Sequence, residues 1–177
     1  MRLFFSGRQV LVTLLTLASM TAHAGFDEGK AAFMQRDYAK AHQQFLPLAK
    51  SGDQRAQHIL GMMYDEGQGV RQNYTEAVKW YRLAAEKGHV DAAYNLGVMA
   101  AQGQGMERND EASAKWFRMA AEKGHVLSQF ALGRITTLGR GVKQDDVVAH
   151  AWYLKAAEQG HFKAQLVVGM DHIIGRG

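Results

Sequence analysis

The chain has no cysteine and a single proline, Pro47, among 177 residues. Without cysteine there is no disulfide, no thiolate-bound metal and no acceptor for the acylation that anchors a lipoprotein. With one early proline, no later helix interior meets a proline break. Neither sign of charge dominates: 21 basic residues stand against 17 acidic ones. The most apolar run, Val10 to Met20, is too short to span a bilayer. Catalytic signatures are missing as well. There is no nucleophile elbow and no Ser-x-x-Lys motif.

The first 24 residues stand apart. Arg2 and Arg8 supply a positive start, Val10 to Met20 an apolar centre, and Ala22-His23-Ala24 small residues at the two cleavage positions. This order reads as a secretory signal cleaved after Ala24, which places the remainder in a bacterial periplasm or outside the cell. The segment holds two basic residues and no acidic one, so residues 25–177 carry a net charge of about +2. They contain no basic stripe. Nucleic acid is not an expected partner, and no stable membrane insertion is expected after cleavage.

What the chain has is periodic glycine. Gly52, Gly88, Gly124 and Gly160 fall 36 residues apart. So do Gly61, Gly97, Gly133 and Gly169, and two further sets begin at Gly67 and Gly69. A fixed period of this size means stacked supersecondary units. Residues 56–64 read as a first helix, A, with apolar or small residues at 56, 60, 61 and 64. Residues 74–86 read as a second helix, B, with Ala77, Trp80, Tyr81 and Ala84 on one face. Glycines just past the helix ends suit left-handed caps. The expected fold is all-α, an α-solenoid of helix-turn-helix units: a divergent unit 25–52, units 53–88, 89–124 and 125–160, and a partial unit 161–177.

Trp80, Trp116 and Trp152 share one position, and Tyr81, Phe117 and Tyr153 the next. Spaced at 36 on helix B, the tryptophans are expected in the core or between repeats. The recurring signature is Ala-x-x-x-Leu-Gly, then Gly-x-Gly-Val, then Ala-x-x-Trp-Tyr-x-x-Ala-Ala-Glu-x-Gly-His. It resembles the Sel-one-like repeat family, relatives of the tetratricopeptide repeat, over roughly residues 26–177. The resemblance implies a right-handed α-solenoid serving as adaptor or scaffold for other proteins. Small exported members can also resemble immunity proteins that neutralise toxins, and such arrays occur in virulence-related proteins. Some cysteine-rich exported relatives bind or cleave β-lactams, but their cysteines are absent here. Where an aromatic stands at Tyr64, later units carry Ala100, Thr136 and His172, so looser packing, or filling by Met99, is expected there. Val167, Val168, Met170, Ile173 and Ile174 make the last helix apolar, fit to cap the array, to meet a partner or to self-associate.

His89, His125 and His161 invite a metal reading, but each is one repeat from the next. Repeats spaced by roughly 10 Å cannot bring all three to one ion. They read instead as loop imidazoles bonding local backbone. Neither metal nor cofactor is expected. Gly67-Gln68-Gly69 follows a helix rather than a strand, so it is a turn and not a phosphate loop. In tetratricopeptide-like arrays the A helices line the concave surface. That assigns partner contacts to His58, Met62, Asp65 and Glu66, then Tyr94, Val98, Ala101 and Gln102, then Phe130, Arg134, Thr137 and Leu138. Such a mixed surface suits an extended peptide or a helix. The expected function is non-enzymatic protein binding. Inhibition of a cognate toxin, or hydrolysis of a cell-wall or β-lactam substrate, are the alternatives.

Overall fold

A computed structural model describes residues 24–173, and among these it contains nine α-helices and no strand. The leader up to residue 23 and Ile174 lie outside the described residues. Helix α1 covers residues 24–34. It is followed by α2 (Tyr38–Lys50), α3 (Gln54–Glu66), α4 (Tyr74–Glu86), α5 (Val90–Gln102), α6 (Asp110–Glu122), α7 (Val126–Leu138), α8 (Asp146–Glu158) and α9 (Phe162–Ile173). Each helix packs on its neighbours in sequence, so the units stack as an α-solenoid. Odd-numbered helices are the A helices and even-numbered ones the B helices. No described helix is long and apolar enough to cross a membrane.

Helices α2 to α8 are all 13 residues long, and capping residues set both ends. The B helices start at Asp37, Asn73, Asn109 and Asp145, whose side chains accept backbone N–H groups three residues on. This relieves the unpaired amides of the first turn. Helices α3, α5 and α7 end at Gly67, Gly103 and Gly139, with φ of 72°, 72° and 64°. Two residues later, Gly69, Gly105 and Gly141 press on the backbone that opens the preceding B helix, leaving no room for a β-carbon. Pro47 sits inside α2, near its end.

Within every unit the two helices are joined by one packing motif. The A-helix glycine takes a B-helix ring: Gly29 against Phe45, Gly61 against Tyr81, Gly97 against Phe117, Gly133 against Tyr153. A β-carbon at Gly97 would lie 2.6 Å from the Phe117 ring. Tyr81, Phe117 and Tyr153 are accordingly buried, and Leu60, Leu96 and Leu132 are fully so. The tryptophans take the other expected place. Trp80, Trp116 and Trp152 are half-buried, and each packs on a core cluster shared by its own unit and the one before it. A polar tie recurs too. Lys87 Nζ donates to Gly52 O at 2.6 Å and Lys123 Nζ to Gly88 O at 3.1 Å. Gln159 Nε2 repeats this on Gly124 O at 3.1 Å.

The expected looseness after the second unit is not seen. Ala100 and Thr136 are 0% and 4% exposed. Thr136 Oγ1 donates to Leu132 O within its own helix, and Met99 is buried in the same cluster as Leu96. The last helix does present an apolar surface. Phe162, Leu166, Met170 and Ile173 are exposed, Val167 and Val168 are half-buried, and no side chain lies within 4 Å of where a Gly169 β-carbon would be.

Replacing Gly97 by Ala adds helix propensity yet forces a methyl group into the Phe117 ring. The net effect should be destabilising by about 1–3 kcal/mol. Phe117→Ala should cost about 3–5 kcal/mol, and Trp116→Ala, with part of its ring in water, clearly less. Urea denaturation of the three variants tests this order. A Trp116→Ala loss exceeding that of Phe117→Ala would show that the tryptophan, not the ring on glycine, holds the repeats.

Candidate partner-binding site

The repeated histidines begin the A helices. His89 Nδ1 accepts from Ala92 N at 3.3 Å, His125 Nδ1 from Ser128 N at 3.2 Å and His161 Nδ1 from Ala164 N at 3.1 Å. They occupy the register of Asp53, which caps α3 in the same way. Each imidazole also meets a ring from the preceding A helix. His58 stacks on His89 with centroids 4.4 Å apart, Tyr94 meets His125 at 5.0 Å and Phe130 meets His161 at 4.5 Å. The same three rings touch Tyr81, Phe117 and Tyr153 within their own units. An aromatic rung thus crosses each of the three junctions between α3 and α9, from the buried ring of helix B to the next helix cap.

Beside these rungs the A helices enclose a concave cavity of about 790 Å³. It joins six expected contact residues: Tyr94, Val98, Ala101 and Gln102 from α5, Phe130 and Arg134 from α7. The start of α9 adds Phe162 and Lys163, and the loops add Arg108 and Arg140. Phe162, exposed at 69%, offers a ring to whatever enters. Charge on the walls is one-sided. Arg108, Arg134, Arg140 and Lys163 face Asp110, which Arg108 pairs at 3.0 Å. That hydrogen-bonded pairing holds the Asp110 carboxyl below the usual range, with Arg140 adding to it. The cavity therefore has a net charge of about +3 over an aromatic floor, an arrangement that attracts anionic segments with apolar side chains.

Other expected residues lie elsewhere. Thr137 lines a separate cavity of about 240 Å³ with His150, Tyr153 and Asp171. His58, Met62, Asp65 and Glu66 line neither. Met62 packs on the core, and Asp65 accepts from the Tyr81 hydroxyl at 3.3 Å, in a burial that raises its carboxyl pKa. Glu66 and Leu138 are exposed outside both cavities. The contributions of α9 and of the loops depend on how successive units rotate, although Phe162 and Lys163 sit in the columns of Val126 and Leu127 and align with them. Among the described residues, one group brings three metal-capable side chains together: His58, His89 and Asp91.

Burial pushes the His58 imidazole down to about 4, and the neighbouring His89 adds to this. His89 and His125 are lowered by burial too, with Asp91 opposing. The folded state thus prefers neutral His58, while the unfolded chain protonates it near its ordinary value. Stability is complete above pH about 6.5 and declines as pH falls toward 4, by at most about 3 kcal/mol from His58. Thermal melts across this range should show the decline, and His58→Phe, which keeps a ring in the rung, should flatten it. An unchanged slope in that variant would remove His58 as its source.

Comparison with known proteins agrees with this geometry. Residues 54–89, 90–125 and 126–161 each match the Sel1 repeat. No curated protein matches the chain. A protective antigen of uropathogenic Escherichia coli strains that displays an SLR fold is 37% identical, covering 92% of this chain and 36% of that one, with a TM-score of 0.85. A Sel1 repeat protein from Oxalobacter formigenes is 32% identical over 86% of this chain and 61% of its own, with a TM-score of 0.80. The chain is thus shorter than both. Helicobacter pylori cysteine rich protein B has the same fold at 18% identity, covering 74% of this chain and 94% of that one, with a TM-score of 0.59. Three consecutive matched repeats, with the glycine, ring and cap columns in register, make this chain a member of the Sel1 repeat family.

Proposed function

We propose that this is an exported, non-enzymatic repeat protein that binds a segment of another protein in the cavity between α5, α7 and α9. Sel1 repeat proteins are generally scaffolds for protein–protein interaction. The observation that carries the finer reading is the cavity itself. At about 790 Å³, with Tyr94, Phe130 and Phe162 beside a surplus of cations, it has the size and chemistry for a short acidic stretch bearing an apolar anchor. Export rests on the order of charge, apolar run and small residues in residues 1–24.

Residues 25–177, immobilised and exposed to envelope extract, should retain a protein partner. Arg134→Glu and Lys163→Glu change exposed side chains and leave the rungs intact. Each should weaken retention at least about tenfold, more at low salt than at high salt. Retention unaffected by both reversals would place the partner elsewhere, with the exposed face of α9 next in line. Export has its own check: the mass of the mature product should correspond to a chain beginning at Gly25.

A further inference from the structure

The three junctions that link α3, α5, α7 and α9 have the same frame: a ring from one A helix, the capping imidazole of the next, and a residue two positions after the cap. At the second junction these are Tyr94, His125 and Leu127, and at the third Phe130, His161 and Lys163. At the first they are His58, His89 and Asp91. Only there can all three side chains ligate a metal, and their donor atoms lie within 4.8 Å of one another. We propose that His58, His89 and Asp91 form a binding site for one divalent cation of the zinc class, spanning the junction between α3 and α5.

The donor set selects the class of ion. Two imidazoles and one carboxylate suit Zn²⁺, and likewise Cu²⁺ or Ni²⁺, whereas Mg²⁺ and Ca²⁺ prefer oxygen alone. Tetrahedral zinc with bonds of about 2.0–2.1 Å draws its donors closer than they stand here, so the site must contract somewhat. The Asp91 side chain is 60% exposed and free to move inward, and it leaves open positions on the metal to solvent. His58 is uncharged at neutral pH because it is half-buried, so its lone pair is available. The stacked rings of His58 and His89 must tilt so that both in-plane lone pairs reach one ion, and the polar contacts in place are long. Asn95 Nδ2 approaches His58 Nε2 at 3.4 Å, and His125 Nε2 lies 3.4 Å from Asp91 Oδ1.

His89 imposes a sharper condition. Its Nδ1 accepts the Ala92 amide. A metal on Nδ1 takes that lone pair. A metal on Nε2 requires the proton on Nδ1, which then cannot accept. Either way the cap is exchanged for the metal bond. The site therefore binds more weakly than a closed structural zinc centre, and binding leaves a mark on one identifiable amide.

The test uses untagged, chelator-stripped protein titrated with Zn²⁺ by calorimetry, with Mg²⁺ as control. We expect one Zn²⁺ per chain with a Kd of about 10 μM or tighter, no uptake of Mg²⁺, and a raised melting temperature. His58→Phe and Asp91→Leu place at this junction the ring class of the third and the residue of the second, so both should fold. Each should weaken Zn²⁺ binding at least about tenfold, by the loss of one of three ligands. Hydrogen exchange at Ala92 should accelerate on zinc binding although the fold as a whole is stabilised. No stoichiometric binding at about 100 μM Zn²⁺, or binding that survives both substitutions, overturns the proposal. In the second case the metal is held elsewhere, and the His150–Asp171 pair where α8 meets α9 is examined next.

Discussion

A ring laid on a glycine is the contact that the rest of this structure depends on. Helix A of each unit offers a backbone stripped of its side chain at Gly29, Gly61, Gly97 or Gly133, and helix B covers it with Phe45, Tyr81, Phe117 or Tyr153. Neither half works alone. An alanine at the glycine would hold the helices apart, and a small residue in place of the ring would leave a void beside the leucine one step earlier. The fit is close in every unit, a β-carbon on these glycines falling 2.4–2.8 Å from the ring, so the same contact sets how near the two helices come. That shared contact lets the secondary devices repeat in register: the aspartate and asparagine caps of helix B, the left-handed glycines that end α3, α5 and α7, and the Lys87, Lys123 and Gln159 ties between turns. In an array where each unit touches only its neighbours, such periodic terms add nearly linearly to stability.

The ring column has a second role at the concave surface. The residue three before the A-helix glycine, His58, Tyr94 or Phe130, touches the buried B-helix ring on one side and the next capping imidazole on the other. Tyr94 and Phe130 therefore belong to the scaffold and to the cavity wall at once. A wall built this way is already ordered before a ligand arrives, which reduces the ordering entropy that binding would otherwise cost. Charge is carried by side chains outside the rung, at Arg134, Arg140 and Lys163, where it can vary without disturbing the stack.

Much of this was legible in the sequence, because a period is a property of order alone. The bounds of helix B at Tyr74–Glu86 and the capping glycines followed from spacing and turn chemistry. The choice between adjacent aromatics did not. Trp80 and Tyr81 differ by one residue, about 100° around the helix, and the sequence favours neither for the core. The histidine caps were half-legible. Their local role was expected, and the register of Asp53 would have identified it as capping. The cavity was least accessible, since its walls combine α5 and α7 with Phe162, Arg108 and Arg140, whose approach depends on the accumulated rotation of the units.

The fixed frame also explains how one repeat can carry different chemistry along its length. At the position two after the cap, Asp91, Leu127 and Lys163 stand in equivalent places, negative, apolar and positive in turn. At the ring position His58, Tyr94 and Phe130 do the same with titratable, hydroxylated and purely apolar rings. The first column lies away from the ring-on-glycine contact, and the second touches its ring but keeps an aromatic ring at every unit, so the contact survives each exchange. The junction between α3 and α5 consequently gathers nitrogen and oxygen donors, while the junctions that follow gather aromatic surface and positive charge. Selection acting on one exposed and one half-buried column can alter what such an array binds, and leave untouched the buried columns that make it an array.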